Sequence, residues 1–206
     1  MTGEFSVDVI EHYDKLIEEG NDPFFDPKPL RDYMDKWDGQ RFIDALALDE
    51  NKTVLEIGVG TGRLGARVCP CCKSFVGIDI SPKTVERAKE NLAECKNAGF
   101  ICGDFLSYDF SQTFDVIYSS LTFMHVEDKQ AAINKVSRLL NDGGIFVLSI
   151  DKNQSEYIDV GTRRIKIYPD TPENIRKNVV CAGMTVVEEF EAEFAQVLCV
   201  KFNIVK

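Results

Sequence analysis

The sequence predicts an α/β protein, a three-layer sandwich around a mostly parallel seven-stranded sheet that ends in an antiparallel strand pair. Three observations support this prediction. Short apolar runs alternate five times with helical patterns. The first of these runs, Thr53–Ile57, leads directly into a glycine-rich turn. The last two runs, Met184–Phe190 and Ala195–Asn203, follow one another without a helix between them.

The composition is that of a globular protein. With 206 residues and a hydrophobic share of 44%, residues 1–206 suffice for one domain with both sheet faces covered. No apolar run approaches the roughly 20 residues that cross a bilayer, and the N-terminus lacks a basic, apolar signal pattern, so we expect a cytoplasmic protein without a membrane partner. The net charge of −10 and the lack of a Lys/Arg run argue against a nucleic-acid partner.

The seven cysteines are an odd number, which excludes a complete set of intramolecular disulfides. Cys69, Cys71 and Cys72 form a Cys-Pro-Cys-Cys cluster. A zinc site would need a second ligand pair, and His12 and His125 are distant in sequence, so no metal is predicted. We expect reduced thiols that pack as small apolar residues, with redox or metal sensing at the cluster as the alternative.

The turn after the first strand carries Gly58, Gly60 and Gly62 at alternate positions and precedes an apolar helical run. A strand, a turn without side chains and a helix N-terminus form a nucleotide site at the carboxyl edge of a sheet. The dinucleotide fingerprint needs glycine where this chain has Arg63, which leaves a nicotinamide dehydrogenase as a minor alternative. The carboxylate of Glu56 would repel a pyrophosphate and attract an ammonium or sulfonium group.

The string Leu-Glu-Ile-Gly-Val-Gly-Thr-Gly resembles the first motif of the Rossmann-like S-adenosylmethionine (SAM) methyltransferases. The resemblance implies that SAM is the cofactor and that Glu56 faces its amino end. It also implies that the turn from Gly58 to Gly62, including Gly60 and Thr61, passes beneath the ligand.

The second strand is predicted at Ser74–Ile80, followed by a helix that Ser81 caps. Asp79 lies 21 residues after Gly58, where an acid accepts hydrogen bonds from ribose hydroxyls. The sequence therefore places Asp79 and its neighbour Ile80 at the cofactor's sugar.

The third strand, Phe100–Cys102, precedes a Gly-Asp-Phe tripeptide that resembles the third motif of the same family. The resemblance implies that Asp104 accepts from the adenine amino group and that Phe105 packs on the ring. An adenine needs both a hydrogen-bonding edge and an apolar slot, which these two residues supply.

The fourth strand, Phe114–Leu121, leads into a loop that ends at His125. The resemblance places Ser119, through its backbone, near the methionine end and this loop at the methyl group. His125 is a candidate proton acceptor, with a structural histidine as the alternative. The Asn/Asp-Pro-Pro-Tyr/Phe tetrapeptide is absent, which counts against methylation of DNA bases and glutamine.

After the fifth strand, Ile145–Ile150, residues 151–170 break the alternation and are predicted to form a hairpin flap. Arg163, Arg164 and Lys166 make this flap a basic island in an acidic protein, and Arg163 and Arg164 are candidates for binding an anionic group of the substrate. The alternative is that they are solvated charges on a surface hairpin.

The N-terminal residues show two helical patterns, Ser6–Glu19 and Met34–Leu46. In the family that the motifs resemble, this part forms a partial lid, so residues 1–48 are expected to be a lid on a Rossmann-like core of residues 49–206. Tyr13 and Arg31 are candidates for contacting the cofactor's carboxylate or the substrate, and Tyr13 is a second candidate base. The alternative is a helix that merely covers one sheet face.

The reaction implied by the resemblance is an in-line attack of a nucleophile on the sulfonium methyl group. Because the leaving group is already activated by its charge, the protein mainly aligns the reactants and excludes water. We expect a small-molecule acceptor held between the N-terminal residues and the flap. A non-catalytic SAM-binding or scaffold protein and a protein methyltransferase remain alternatives.

Overall fold

The computed structural model describes residues 5–161 and 163–204. Thr162, which the flap prediction includes, and the terminal residues 1–4 and 205–206 lie outside this description. The strands are β1 (Phe5–Val7), β2 (Thr53–Ile57), β3 (Ser74–Asp79), β4 (Ala98–Cys102), β5 (Phe114–Ser119), β6 (Leu140–Asp151), β7 (Tyr157–Val160), β8 (Arg163–Lys166), β9 (Met184–Glu191) and β10 (Ala195–Phe202). The α-helices are α1 (Val9–Glu18), α2 (Lys28–Met34), α3 (Gly39–Ala45), α4 (Gly65–Val68), α5 (Pro82–Asn91), α6 (Lys129–Leu139) and α7 (Pro172–Cys181).

The main sheet has seven strands in the order β4-β3-β2-β5-β6-β10-β9. The strands from β2 to β6 pair in parallel, whereas β10 pairs antiparallel with both β6 and β9. The predicted fold class is thereby confirmed. The chain passes from β2 to β3 and β4 on one side and returns to β5 and β6 on the other, so a crevice opens where the order reverses.

Both faces of the central strand are buried. Val54 belongs to the apolar cluster that packs against α3, α4 and α5, and Leu55 to the cluster that packs against α6 and α7. Successive residues of a strand point to opposite faces, so an unbroken apolar run is what a doubly covered strand requires.

The N-terminal residues differ from the prediction. The first helix starts at Val9 and not at Ser6, because Asp8 caps it by accepting from the backbone N–H of Glu11 at 2.7 Å. The predicted second helix is two helices, α2 and α3. Between them Asp38 leaves the helical conformation (φ −135°, ψ −76°) and its buried carboxylate turns towards the core, which interrupts the helix.

A second, three-stranded sheet joins the two segments that flank the core. β8 pairs antiparallel with β7, which forms the hairpin of the flap, and parallel with β1. The flap and the N-terminal residues are therefore one backbone-bonded unit. Across residues 5–161 and 163–204, every helix is too short or too polar to cross a membrane.

Candidate functional site

A cavity of about 310 Å³ lies at the carboxyl ends of β2 to β5, beneath α1 and α2. Its volume is at the lower end of the roughly 300–1,000 Å³ that is typical of small-molecule sites. It brings together most of the residues predicted from the motifs. The predicted site residues that line it are Tyr13, Glu56, Gly58, Gly60, Thr61, Asp79, Ile80, Asp104, Phe105 and His125.

The glycines of the turn have different reasons to be glycine. A Cβ on Gly58 (φ +80°) would lie 1.9 Å from Oγ1 of Thr122. Glycine at this position therefore lets the loop after β5 pack closely against the turn. A Cβ on Gly62 would lie 2.8 Å from the side chain of Leu92, and Gly62 is not among the described residues that line the cavity. A Cβ on Gly60 would meet open space, so Gly60 lies bare at the cavity.

Glu56 is a buried carboxylate at the end of β2. It accepts a hydrogen bond from the hydroxyl of Tyr118 at 2.8 Å. Burial raises the pKa of Glu56 to about 8, although the bond from Tyr118 and the charge of Arg63 oppose this shift. Glu56 is therefore mostly protonated at neutral pH in the free protein, and a cation placed beside it would favour ionisation.

Asp79, at the end of β3, accepts from the backbone N–H groups of Gly60 and Ser81, both at 3.0 Å. Burial raises the pKa of Asp79, and these hydrogen bonds oppose the rise. The carboxylate thus links the glycine turn to the start of α5 and keeps a fixed orientation at the cavity.

Asp104 and Phe105 follow β4. The carboxylate of Asp104 accepts from the backbone N–H groups of Leu106 and Ser107, both at 3.1 Å. Phe105 is buried and its ring packs 6.0 Å from that of Phe110. The pair thus offers a carboxylate edge beside an apolar ring at the same end of the cavity.

Tyr13 and His125 contact each other across the cavity, from α1 and from the loop after β5. The Tyr13 hydroxyl lies 2.9 Å from Nε2 of His125. Burial lowers the pKa of His125 to about 4, and the charges of His12 and Lys129 act in the same direction. Burial raises the pKa of Tyr13 well above its usual value, and the nearby Asp79 carboxylate adds to the rise. Both side chains are therefore uncharged at neutral pH.

A buried charge network that the sequence motifs do not predict lies beside the cavity. Asp38 binds both terminal nitrogens of Arg63, at 3.1 and 2.5 Å, and accepts from the Ser120 hydroxyl at 2.8 Å. Arg63 and Ser120 line the cavity. Arg63 lies in the glycine turn, where the motif indicates only that a glycine is absent, and nothing in the sequence around Asp38 marks that residue as its partner.

The side chain of Ser119 serves the sheet, so the predicted contact of Ser119 with the cofactor is left to its backbone and stays a prediction. The Ser119 hydroxyl is buried and donates to the carbonyl of Ile57 at 2.9 Å, so its side chain ties β5 to β2. Ser119 is not among the described lining residues, whereas Ser120 is. Alternation along a strand explains this, because neighbouring side chains point to opposite sides.

The three predicted substrate arginines are not among the described residues that line the cavity. Arg31 is exposed on α2. Arg163 forms a bidentate ion pair with Glu19, with N···O distances of 2.5 and 2.7 Å, which joins the flap to the residue that follows α1. Arg164 pairs with Asp159 of the same hairpin at 2.7 Å. A role for these arginines in substrate binding stays a prediction.

Two buried polar atoms of lining residues, Oγ1 of Thr61 and Nδ1 of His125, have no hydrogen-bond partner within the described protein. Buried polar atoms are nearly always hydrogen-bonded, so both indicate a polar ligand. The cavity therefore suits a molecule with hydrogen-bonding groups and a cationic end at Glu56, which is the chemistry of SAM.

The cysteines of the described residues are neither paired in disulfides nor grouped as metal ligands. All seven are free, with Cys69 and Cys72 buried and Cys71 exposed. Burial raises the pKa of Cys72 to about 11, which keeps that thiol protonated. No cluster of three or more His, Cys, Asp or Glu side chains within the described ranges could hold a metal ion.

A family model described as a methyltransferase domain matches residues 48–192. Among curated proteins, an uncharacterized methyltransferase of Bacillus cytotoxicus is 41% identical over 110 residues, which cover 50% of each chain. The malonyl-[acyl-carrier protein] O-methyltransferase 1 of Ilyobacter polytropus is 34% identical over 107 residues, 50% of this chain and 40% of that protein. The chain spans about half the length of the curated relatives it matches.

Solved structures share the fold over nearly the whole chain. The DhpI complex with S-adenosylhomocysteine has a TM-score of 0.76 at 16% identity and covers 95% of this chain and 96% of its own. The N-methyltransferase NodS from Bradyrhizobium japonicum, also with S-adenosylhomocysteine, has a TM-score of 0.68 at 18% identity, with 92% and 97% covered. With the family match, these confirm the motif-based prediction: the chain belongs to the methyltransferase domain family, with the Rossmann-like fold of the SAM-dependent enzymes.

Proposed function

We propose that this protein transfers the sulfonium methyl group of SAM to a nucleophile on a small-molecule acceptor and releases S-adenosylhomocysteine. One observation carries the proposal. The ends of β2, β3 and β4 form one wall of the cavity. Along this wall lie Glu56, Asp79 and Asp104, in the same order as the amino acid, ribose and adenine groups of SAM.

The residues present fit this cofactor. Glu56 would hold the amino group, Asp79 the ribose hydroxyls, and Asp104 with Phe105 the adenine. The unpartnered hydroxyl of Thr61 offers one more hydrogen bond to the ligand. Arg63 is held by Asp38 at the same wall, which leaves its charge compensated.

The bound cofactor supplies a methyl group that its positive sulfur already activates. A lone pair of the acceptor forms the new bond to the methyl carbon while the carbon–sulfur bond breaks and its electrons remain on sulfur. The protein orients the two reactants, and α1 with the loop after β5 excludes water. As part of this proposal, the neutral imidazole of His125, whose Nε2 lies 2.9 Å from the hydroxyl of Tyr13, would take a proton from the acceptor.

Two features support a small acceptor in the cytoplasm. The cavity lies under α1 and α2, and its volume of about 310 Å³ leaves room for only a small acceptor beside the cofactor. The seven free cysteines fit a reducing compartment. Relatives named for O-methyl and N-methyl transfer leave the acceptor atom open.

The test is radiolabelled methyl transfer from SAM into a metabolite extract, with Asp79→Ala as the control. We expect label in low-molecular-mass products with the wild type and none with the variant. Label in the protein fraction would instead support a protein methyltransferase. Measurable S-adenosylhomocysteine binding without any transfer would support a non-catalytic SAM-binding protein. Calorimetric binding of NAD in place of S-adenosylhomocysteine would overturn the proposal.

A further inference from the structure

The two walls of the cavity differ in charge. The sheet-side wall consists of lining residues from the ends of β2, β3 and β4 and the turns that follow them. The lid-side wall consists of lining residues from the N-terminal segment and from the loop after β5. The lid-side residues are Val9, Tyr13, Pro23, Met34, Ser120–Thr122, His125 and Val126.

Every formally charged side chain among the described lining residues belongs to the sheet-side wall: Glu56, Arg63, Asp79 and Asp104. The lid-side wall carries none. Its two titratable groups, Tyr13 and His125, are both uncharged at neutral pH because burial shifts their pKa values in opposite directions.

We propose that the methyl acceptor is an uncharged, largely apolar small molecule that binds against the lid-side wall, with its nucleophilic atom at the Tyr13–His125 pair. This inference rests on the proposed function, since it places the cofactor at the sheet-side wall. The pair and the hydroxyl groups of Ser120 and Thr122 are the polar side chains of this wall, and both hydroxyls already donate to protein acceptors.

An anionic acceptor would find no uncompensated cation among the described lining residues, because the guanidinium of Arg63 is already bound by Asp38, the carboxylate that Ser120 also contacts. Of the predicted candidates, Arg31 is exposed on α2, Arg163 is paired with Glu19, and Arg164 is paired with Asp159. Burying an ionised group without a partner is strongly unfavourable. A cationic acceptor would approach the sulfonium of the cofactor with no lid-side carboxylate to offset the repulsion.

The first measurement is binding to the protein saturated with S-adenosylhomocysteine, detected by ligand-observed NMR. Three thiols of similar size differ in charge: butane-1-thiol is neutral, 3-mercaptopropionate is anionic and 2-aminoethanethiol is cationic. We expect the neutral thiol to bind at least about tenfold more tightly than either charged one. Equal or tighter binding of a charged thiol, or no binding of any, would overturn the inference.

The second measurement inverts the preference. Met34 is half-buried at the end of α2 and lines the cavity, and a lysine there has similar length and suits a helix C-terminus. In Met34→Lys we expect 3-mercaptopropionate to gain about tenfold over butane-1-thiol relative to the wild type. Met34→Leu is the matched control and should keep the wild-type preference. An unchanged preference in a folded Met34→Lys protein counts against the inference.

Methyl transfer from SAM to the same thiols separates this inference from the proposed function. If the neutral thiol binds most tightly but no thiol is methylated, the inference of an uncharged acceptor stands and the result counts against methyl transfer. Methylation of 3-mercaptopropionate as fast as butane-1-thiol supports methyl transfer and overturns the charge inference.

Discussion

The sheet-side and lid-side walls of the cavity are built in different ways. The sheet-side wall is fixed by backbone contacts: the N–H of Gly58 donates to the carbonyl of Ile78 at 2.8 Å, and the N–H of Gly60 donates to Asp79. The lid is attached largely by side chains. Ser81 donates to Asp14 of α1 at 2.7 Å, Lys83 pairs with Glu18, and Tyr13 reaches His125.

This difference has a functional consequence. Elements held by a few side-chain contacts open locally at lower free energy than strands bonded along their backbones in a buried sheet. We therefore expect a preorganised sheet-side wall and an N-terminal lid that opens to admit ligands and closes over them. A cavity that α1 covers must have such a movable side if ligands are to enter and leave.

The largest expected effect breaks the sheet-side wall. In Gly58→Ala the new Cβ overlaps Thr122 and forces alanine into left-handed backbone, so we expect a loss of about 3 kcal/mol or more in unfolding free energy and no binding of S-adenosylhomocysteine. Chemical denaturation and calorimetry measure both. Gly60→Ala, at φ +54° with open space around the Cβ, is the matched control and should lose only about 1 kcal/mol.

A second expected effect is a pH dependence located at Glu56. Its pKa is about 8 in the folded protein against an ordinary value of 4.5, so the folded state holds this proton more tightly than the unfolded chain. Its contribution to stability is therefore full below about pH 4.5 and is lost as the pH rises to about 8, by at most about 1.4 kcal/mol per pH unit.

Urea unfolding of the ligand-free protein between pH 5 and pH 8 tests this, with Glu56→Gln as the control that lacks the slope. If the ammonium group of the bound ligand ionises Glu56, binding of S-adenosylhomocysteine at pH 7 also releases a proton. Calorimetry in buffers of different ionisation enthalpy detects this release. Parallel stability curves for both proteins would contradict the assigned pKa.

A smaller effect is expected at the lid. Tyr13→Phe removes the hydrogen bond to Nε2 of His125, so closure should weaken by about 1 kcal/mol. Amide exchange in α1 should rise about fivefold, while amides of β2 to β5 keep their protection. Tyr33→Phe, on exposed α2, is the control that should leave both unchanged. Uniformly faster exchange across sheet and lid would contradict the distinction between the two walls.

The smallest effect is expected at the flap. Arg163→Ala breaks an ion pair whose Glu19 partner is largely exposed, so it should lower the unfolding free energy less than any of the changes above. Because Arg163 and Arg164 lie outside the described lining, turnover of the true acceptor should stay within about twofold in either alanine variant. A tenfold fall in kcat/KM would restore these arginines as substrate ligands.

The sequence predicted the sheet-side wall better than the lid. Strand residues such as Val54 and Leu55 must alternate between two buried faces, and Asp79 follows its strand at a fixed spacing, so local pattern suffices for both. In the N-terminal segment the apolar periodicity of Met34–Leu46 predicted one helix. The structure has two, because Asp38 turns inwards to bind Arg63, which is 25 residues away.

By itself, the amino-acid sequence determined the layer order, the position of the glycine turn and the carboxylates of Glu56, Asp79 and Asp104, since these depend on backbone periodicity and short spacings. Only the tertiary structure decided the rest. It placed Tyr13 against His125 across 112 residues of chain, engaged Arg163 with Glu19, and left the lid-side wall uncharged. The physical reason is that side-chain contacts between distant segments depend on how the elements pack, and no local pattern records that packing.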